Sequence, residues 1–329
     1  MQRPIVHLIL LVAVVILIWT PAARAADPAV VRVGVLKFGT VNWELDVVKH
    51  HGIDAKQGIE VDITGLASPQ ATKVALQADA VDVIVMDWIW VSRQRSEGAD
   101  FTFTPYSTAL GALVAAKTSG VDDLPGLRGK RLGIAGGPLD KSWLLLQALA
   151  ASKHGMDLKA EVEPVFGAPP LLSELVANGE LDAVLTFWHY AARLEARGHA
   201  RVIGVTEVAR QLGTGGDVPM LGYTFRESWA KANPAAVRGF LAAVREAKAI
   251  LRTSDKDWQR IAPLMKAPDD KTGAALRAGY VDGIPTAWGE PQWQDAARLF
   301  EILAAAGGAK LVGDTSTLQP GTFWPDAGS

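Results

Sequence analysis

Apolar and polar positions along this chain follow two alternating patterns. Short runs rich in Val, Ile and Leu, of strand length, are followed by stretches whose apolar residues recur at helical spacing. Residues 31–36 read as a first strand, 41–51 as a helix, 59–63 as a strand, 70–77 as a helix and 81–86 as a buried strand. This βαβαβ succession is the pattern of parallel strands joined by crossover helices. Residues 101–105 and 112–117 read as further strands, and Pro125-Gly126-Leu127-Arg128-Gly129 is turn material that opens a second unit.

The second unit repeats the first. Arg131-Leu132-Gly133-Ile134-Ala135 parallels Arg32-Val33-Gly34-Val35-Leu36, and Leu181-Asp182-Ala183-Val184-Leu185 parallels Val81-Asp82-Val83-Ile84-Val85. Both copies run on to a tryptophan, Trp88 and Trp188. Two copies predict two similar α/β lobes and not a solenoid. Beyond Thr214-Gly215-Gly216 the sequence returns to a strand at 220–225 and then turns helical at 234–251, 258–265, 271–281 and 292–306. The simplest packing sends this last segment back to the first lobe. Lobe one is then 26–110 with 216–329, lobe two is 111–215, and the chain crosses between them twice, around 104–117 and 206–225.

Composition narrows the function classes. At 329 residues and 49% hydrophobic, the chain has the substance for about two compact units. A formal net charge of -2 gives no basic excess for a nucleic-acid backbone. The absence of cysteine removes disulfides, thiolate metal sites, a cysteine nucleophile and a lipobox.

The first 25 residues have the grammar of a secretory signal. Arg3 supplies a positive start, 5–18 is an apolar run broken only by His7, and Ala23-Arg24-Ala25 ends in a small-x-small cleavage pattern. The apolar run is shorter than the roughly 20 residues a spanning helix needs. Cleavage is expected before Ala26, which removes Arg3 and Arg24 and takes the net charge from -2 to -4.

Five short motifs then come in order: Val31-Arg32-Val33-Gly34-Val35, Gln57-Gly58-Ile59-Glu60-Val61, 76–83, Leu127-Arg128-Gly129-Lys130-Arg131-Leu132-Gly133-Ile134, and 175–183. In this order and spacing, the chain resembles the nitrate/sulfonate/taurine-type solute-binding proteins of ABC importers. The resemblance covers nearly the whole mature chain. It implies a type II periplasmic-binding fold, with two α/β lobes, a two-crossing hinge and a ligand cleft between them. It also implies a periplasmic location, a small-molecule ligand of sulfonate, taurine-like or other anionic or zwitterionic character, and an inner-membrane permease as partner. No cofactor and no metal is implied, and a monomer is expected. The loop 38–43 and the stretch Asp87-Trp88-Ile89-Trp90 are more aromatic and more acidic than a nitrate or simple sulfonate receptor requires.

In open α/β sheets ligands bind beyond the carboxyl ends of strands, and those positions here are crowded with Trp43, Trp88, Trp90, Trp143 and Trp188. Each has a bland alternative as a core ring. Gly136-Gly137-Pro138-Leu139-Asp140-Lys141-Ser142-Trp143 opens a helix. It reads either as an anion cradle using free N–H groups, Lys141 and Ser142, or as a turn with Asp140 as N-cap. Asp87 reads either as the partner of a ligand amine or as an N-cap. His189, beside Trp188, is placed to donate to a ligand. His50 and His51 are adjacent on a helix, point about 100° apart and are not expected to face one ion.

The expected site therefore combines Phe38, Gly39, Asn42, Trp43, Ser68, Asp87 and Trp88 from lobe one with Gly136, Gly137, Ser142, Thr186, Trp188 and His189 from lobe two. The rival class is an enzyme on the same fold acting on a small heterocyclic or aromatic acid. Its pyrimidine-precursor-synthase form needs a cysteine-rich motif that this chain lacks, and neither G-x-S-x-G nor H-E-x-x-H occurs.

Overall fold

The computed structural model describes residues 28–215 and 218–325; the signal-like segment 1–25 and Gly216 at the expected lobe boundary lie outside the described residues. Among the described residues, ten strands form two five-stranded sheets. The first holds β1 (Ala29–Leu36), β2 (Ile59–Leu66), β3 (Val83–Asp87), β4 (Phe101–Ser107) and β10 (Leu221–Arg226), in the order β2-β1-β3-β10-β4. The second holds β5 (Gly111–Ala115), β6 (Arg131–Ala135), β7 (Glu163–Gly167), β8 (Ala183–Phe187) and β9 (Ala200–Gly204), in the order β7-β6-β8-β5-β9. The type II binding-protein fold expected from the sequence is the fold observed. The sheets are mixed and not purely parallel, because β10 runs antiparallel to β3 and β4, and β5 antiparallel to β8 and β9.

The helices begin where the sequence pattern turns. In the first unit they are α1 (Val41–His50), α2 (Ile53–Lys56), α3 (Pro69–Gln77) and α4 (Trp88–Ser96). In the second they are α5 (Lys141–His154), α6 (Leu158–Glu161), α7 (Pro169–Ala177), α8 (Trp188–Ala196) and α9 (Val205–Gln211). The chain ends with α10 (Glu227–Ala232), α11 (Pro234–Thr253), α12 (Asp255–Met265), α13 (Asp270–Asp282), α14 (Glu290–Gly307) and α15 (Ala309–Val312).

The internal repeat has a structural cause. Asp82 Oδ2 accepts the backbone N–H of Arg32 at 2.8 Å, and Asp182 Oδ2 accepts that of Arg131 at 2.9 Å. Each carboxylate ties the turn before a strand to the start of the unit's first strand. Gly34 and Gly133 also do one job. A Cβ at Gly34 would lie 3.1 Å from Val81, and one at Gly133 only 2.8 Å from Leu181, so glycine lets the neighbouring chain pack close.

The C-terminal segment covers more than the first sheet. α11 buries Val237, Phe240, Leu241, Val244 and Leu251 along one stripe, and it and α12 lie against α1. α13 instead lies against α8, α14 against α5, and α15 against α4. Buried Ala296, Leu299, Phe300 and Leu303 of α14 merge residues of both sheets into one core, with Phe300 6.5 Å from Trp88. The first crossing is also tied down to the end of α13, since Thr108 donates its N–H to the carbonyl of Gly283 at 2.9 Å.

Candidate functional site

A crevice of about 200 Å³ lies between the carboxyl ends of the two sheets. The first sheet contributes Gly34, Val35 and Leu36 of β1, the loop Phe38, Gly39 and Thr40, the end of β3 at Asp87, Tyr106 of β4 and Leu221 of β10. Facing them are Lys141 and Ser142 at the start of α5, and Phe187, Trp188 and His189 where β8 passes into α8. Leu110 of the first crossing closes one side. The surface is dominated by apolar and aromatic groups with a few polar ones, which is the usual composition of a small-molecule site.

The placement of Tyr106 depends on a bulge. β4 is an edge strand, so Pro105 continues it without breaking a ladder that needs its N–H. Opposite it, Ser107 pairs with Leu221 and Pro105 with Gly222, leaving Tyr106 as the extra residue turned toward the crevice. Its hydroxyl lies 3.0 Å from Thr40 Oγ1. Sequence reading ended this strand at Pro105 and so passed over Tyr106. Leu221, Thr40 and Thr72 were also passed over, since nothing local distinguishes them from core or turn residues.

Six of the thirteen expected residues line the crevice: Phe38, Gly39, Asp87, Ser142, Trp188 and His189. Trp43 is behind the wall, 4% exposed, with its ring edge-to-face on Trp188 at 6.0 Å. These two rings therefore touch each other, and no ligand-wide space lies between them. Trp188 rests in turn on α13, where a Cβ at Gly279 would lie 2.9 Å from its ring.

The other expected residues lie away from the crevice wall, most of them held by identifiable bonds and Thr186 with a buried hydroxyl that has no partner. Trp88 is 0% exposed, donates its indole N–H to the carbonyl of Pro219 at 3.1 Å, and belongs to the core. Trp143 is likewise core, and Trp90 stacks on Phe101. Asn42 donates to the carbonyls of Leu36 and Gly39, fixing the 36–42 loop. Ser68 caps α3 by accepting the N–H of Ala71. Thr186 is buried in β8, between its pairing with Ala112 and its ladder neighbours. Gly136 and Gly137 do not reach the crevice wall. Both have positive φ, 103° and 123°, and a Cβ on Gly136 would lie 2.7 Å from Asp140, so they shape the turn that delivers the cap.

That cap decides between the two readings of α5. Asp140 Oδ1 accepts the N–H groups of Ser142 and Trp143, so the helix start is satisfied from within and is not an open anion cradle. Asp87 does the same for α4, accepting the N–H of Trp90 with Oδ1 at 2.9 Å. Its other oxygen lies 3.8 Å from Lys141 Nζ, an ion pair that spans the two units across the crevice. Lys73 stands nearby. Burial lowers its pKa, Asp87 opposes that shift, and Lys141 and Arg93 add to it.

His189 is the unsatisfied group of the site. Both ring nitrogens are shielded from solvent without a hydrogen-bond partner. Burial pushes its pKa down to about 3, with Arg193 acting in the same direction, so the ring is neutral near pH 7. The start of α8 differs from those of α4 and α5. Phe187 at the N-cap position gives α8 no side-chain cap.

Two other polar clusters lie away from the crevice wall. Glu44 of α1 is fully buried and accepts from Lys248 of α11 and, at 2.6 Å, from Tyr280 of α13. This pair fastens the C-terminal helices to the first sheet. His50 and His51 come together against expectation: the rings meet edge-to-face at 4.9 Å, and donor atoms of both and of Asp257 lie within 4.8 Å of one another. Side-chain rotation at the helix end overcomes the 100° separation of the two Cβ directions. Asp257 is nonetheless already engaged by His51, Ser254 and Arg260.

In sequence, the family model for NMT1/THI5-like proteins matches residues 47–254. No curated protein matches the chain. Among solved structures, it is similar to the periplasmic aliphatic sulphonate-binding protein SsuA of Escherichia coli, with 20% identity, 90% of this chain and 92% of that one covered, and a TM-score of 0.71. It is also similar to the alkanesulfonate-binding SsuA of Xanthomonas axonopodis pv. citri bound to MOPS, with 18% identity, 91% and 99% covered, and a TM-score of 0.68. The desulfurization enzyme DszB shares the fold at 14% identity, with 89% and 97% covered and a TM-score of 0.59.

Proposed function

The chain belongs to the NMT1/THI5-like family, and we propose that it is the extracytoplasmic substrate-binding component of an ABC importer. It binds a small organic molecule between its two sheets and catalyses no reaction. The observation that carries this reading is the crevice itself, an apolar space lined from both units at their strand ends, with Asp87 and Lys141 paired across it. Neither unit alone encloses a ligand, so affinity depends on their approach. A closed, ligand-bound form is then a state that a permease in the inner membrane recognises. Export through segment 1–25, a periplasmic location and a monomeric state are part of the same proposal.

The likeness to sulfonate-binding proteins supports a sulfonate, a taurine-like compound or another organic anion or zwitterion as ligand. Binding is better supported than turnover. Ser142 helps hold the Asp140 cap, and His189 has no hydrogen bond to it or to a carboxylate, so no nucleophile–base pair is assembled among the described residues.

A thermal-unfolding screen of sulfonates, amino-sulfonates, aromatic acids and pyrimidines tests the proposal. A ligand at about 100 times its Kd adds about 2.7 kcal/mol of stability. The expected result is at least one stabilising compound whose effect is lost in Trp188→Ala. Conversion of a compound to product by the purified protein would contradict it.

A further inference from the structure

Trp188 walls two spaces. One is the crevice. The other is a groove of about 620 Å³ beside the first crossing, where Ala192 of α8 and Gly204 of β9 face Ala275, Ala278 and Gly279 of α13, with charged groups of α8, β9, α9 and α13 also in its lining. Leu110 lines both spaces as well. These two residues come from different parts of the chain and are tied to each other, because Trp188 donates its backbone N–H to the carbonyl of Leu110 at 3.3 Å. The ring is also held on its flanks. Trp43 meets it edge-to-face at 6.0 Å, and α13 approaches so closely that a Cβ at Gly279 would lie 2.9 Å from it. A bulky ring packed in this way is a fixed wall.

We propose that Trp188 and Leu110 are the partition that sets how long a ligand the crevice accepts. Whatever polar group a ligand presents to Asp87 and Lys141, its apolar body ends at this wall. A compact body fits the crevice of about 200 Å³, and a long chain is excluded. Without the wall, crevice and groove become one space, and a chain continues along Ala192, Ala275 and Ala278. Chain length is then decided by one ring and one leucine, separately from recognition of the polar group. The inference rests on reading the crevice as the binding site.

Isothermal titration of wild type, Trp188→Ala and Leu110→Ala with ethane-, butane-, hexane- and octanesulfonate tests it. Wild type is expected to bind one of the shorter members best, and octanesulfonate about tenfold or more weakly than that member. In Trp188→Ala the order reverses. Octanesulfonate gains about tenfold over wild type, which is what about two newly buried methylenes supply, while the member that wild type binds best loses about tenfold or more. Leu110→Ala removes the smaller half of the partition, so it shifts the preference the same way by less, and it stands in for Trp188→Ala if that variant does not fold. An unchanged best chain length in the folded variants, or wild-type affinity that keeps rising to octanesulfonate, would overturn the assignment. Failure of all four sulfonates to bind wild type or variants would also overturn it, and a stabilising compound of another class would then leave the proposed function standing. If no compound stabilises the protein at all, the proposed function fails as well.

Discussion

The turns after β3 and β8 occupy equivalent places in the two halves of the molecule, Asp87-Trp88-Ile89-Trp90 in one and Phe187-Trp188-His189-Tyr190 in the other. They do opposite work. In the first, Asp87 caps its own helix and Trp88 is sealed beneath Pro219 and Phe300. In the second, Phe187 gives α8 no side-chain cap, and Trp188 lines the crevice. The neighbouring pair follows suit, since Ser68 caps α3 while Ala168 leaves α7 without a side-chain cap. The pair α1 and α5 reverses the pattern, with Thr40 giving no cap and Asp140 giving two bonds. The lesson is that equivalent positions of a repeated scaffold are told apart by which helix starts are capped, because a capping side chain is no longer available to a ligand.

The largest expected difference between the two turns is in stability. Trp88→Ala empties a fully enclosed core position and should cost about 3–5 kcal/mol in denaturant unfolding. Trp188→Ala, at the crevice, should cost less than half of that and lose ligand binding. Equal costs would break the comparison.

Next is acid sensitivity. His189 in the folded protein has its pKa pushed down to about 3, below the unfolded value near 6.5. The unfolded chain therefore takes up a proton that the folded one refuses, and stability present above pH ~6.5 is lost as pH falls toward ~3. Arg193 adds to this depression. The contribution should be about 2 kcal/mol between pH 7 and pH 5, seen as the difference between wild type and His189→Leu. A difference that does not change with pH would mean that the ring is hydrated or partnered.

Converting one turn into the other gives a smaller effect of opposite sign. Phe187→Asp supplies the missing cap and should raise stability by about 0.5–2 kcal/mol while weakening ligand binding. The smallest effect is expected at α3, where Ser68→Ala should cost about 1 kcal/mol or less and leave binding unchanged. Loss of binding there would show that Ser68 also contacts the ligand.

Much of the scaffold is legible in the sequence because it depends on local pattern. The strand at 131–135, the helices after 234, and the Asp82 and Asp182 copies are each read from neighbours in the chain. Trp88 and Trp188 show where this stops. Both follow a buried strand and open a helix, and what separates them is cover from Pro219 and α14, more than a hundred residues away in sequence. Tyr106 reaches the crevice only through a bulge set by its partner strand, which lies across the second crossing. Asp87 and Asp140 could each be read as cap or ligand partner. Only the geometry of the first helical turn decides that Asp140 is a cap and that Asp87 is a cap facing Lys141.

The central claim, that one ligand is held between the two sheets, is tested most directly by a crystal structure of the protein with a compound that stabilises it. The account predicts electron density between Asp87 and the start of α8, packed on Trp188. Density instead in the separate cavity of about 270 Å³ beside α11, lined by Arg245, Lys248 and Trp288, with the crevice empty, would contradict it.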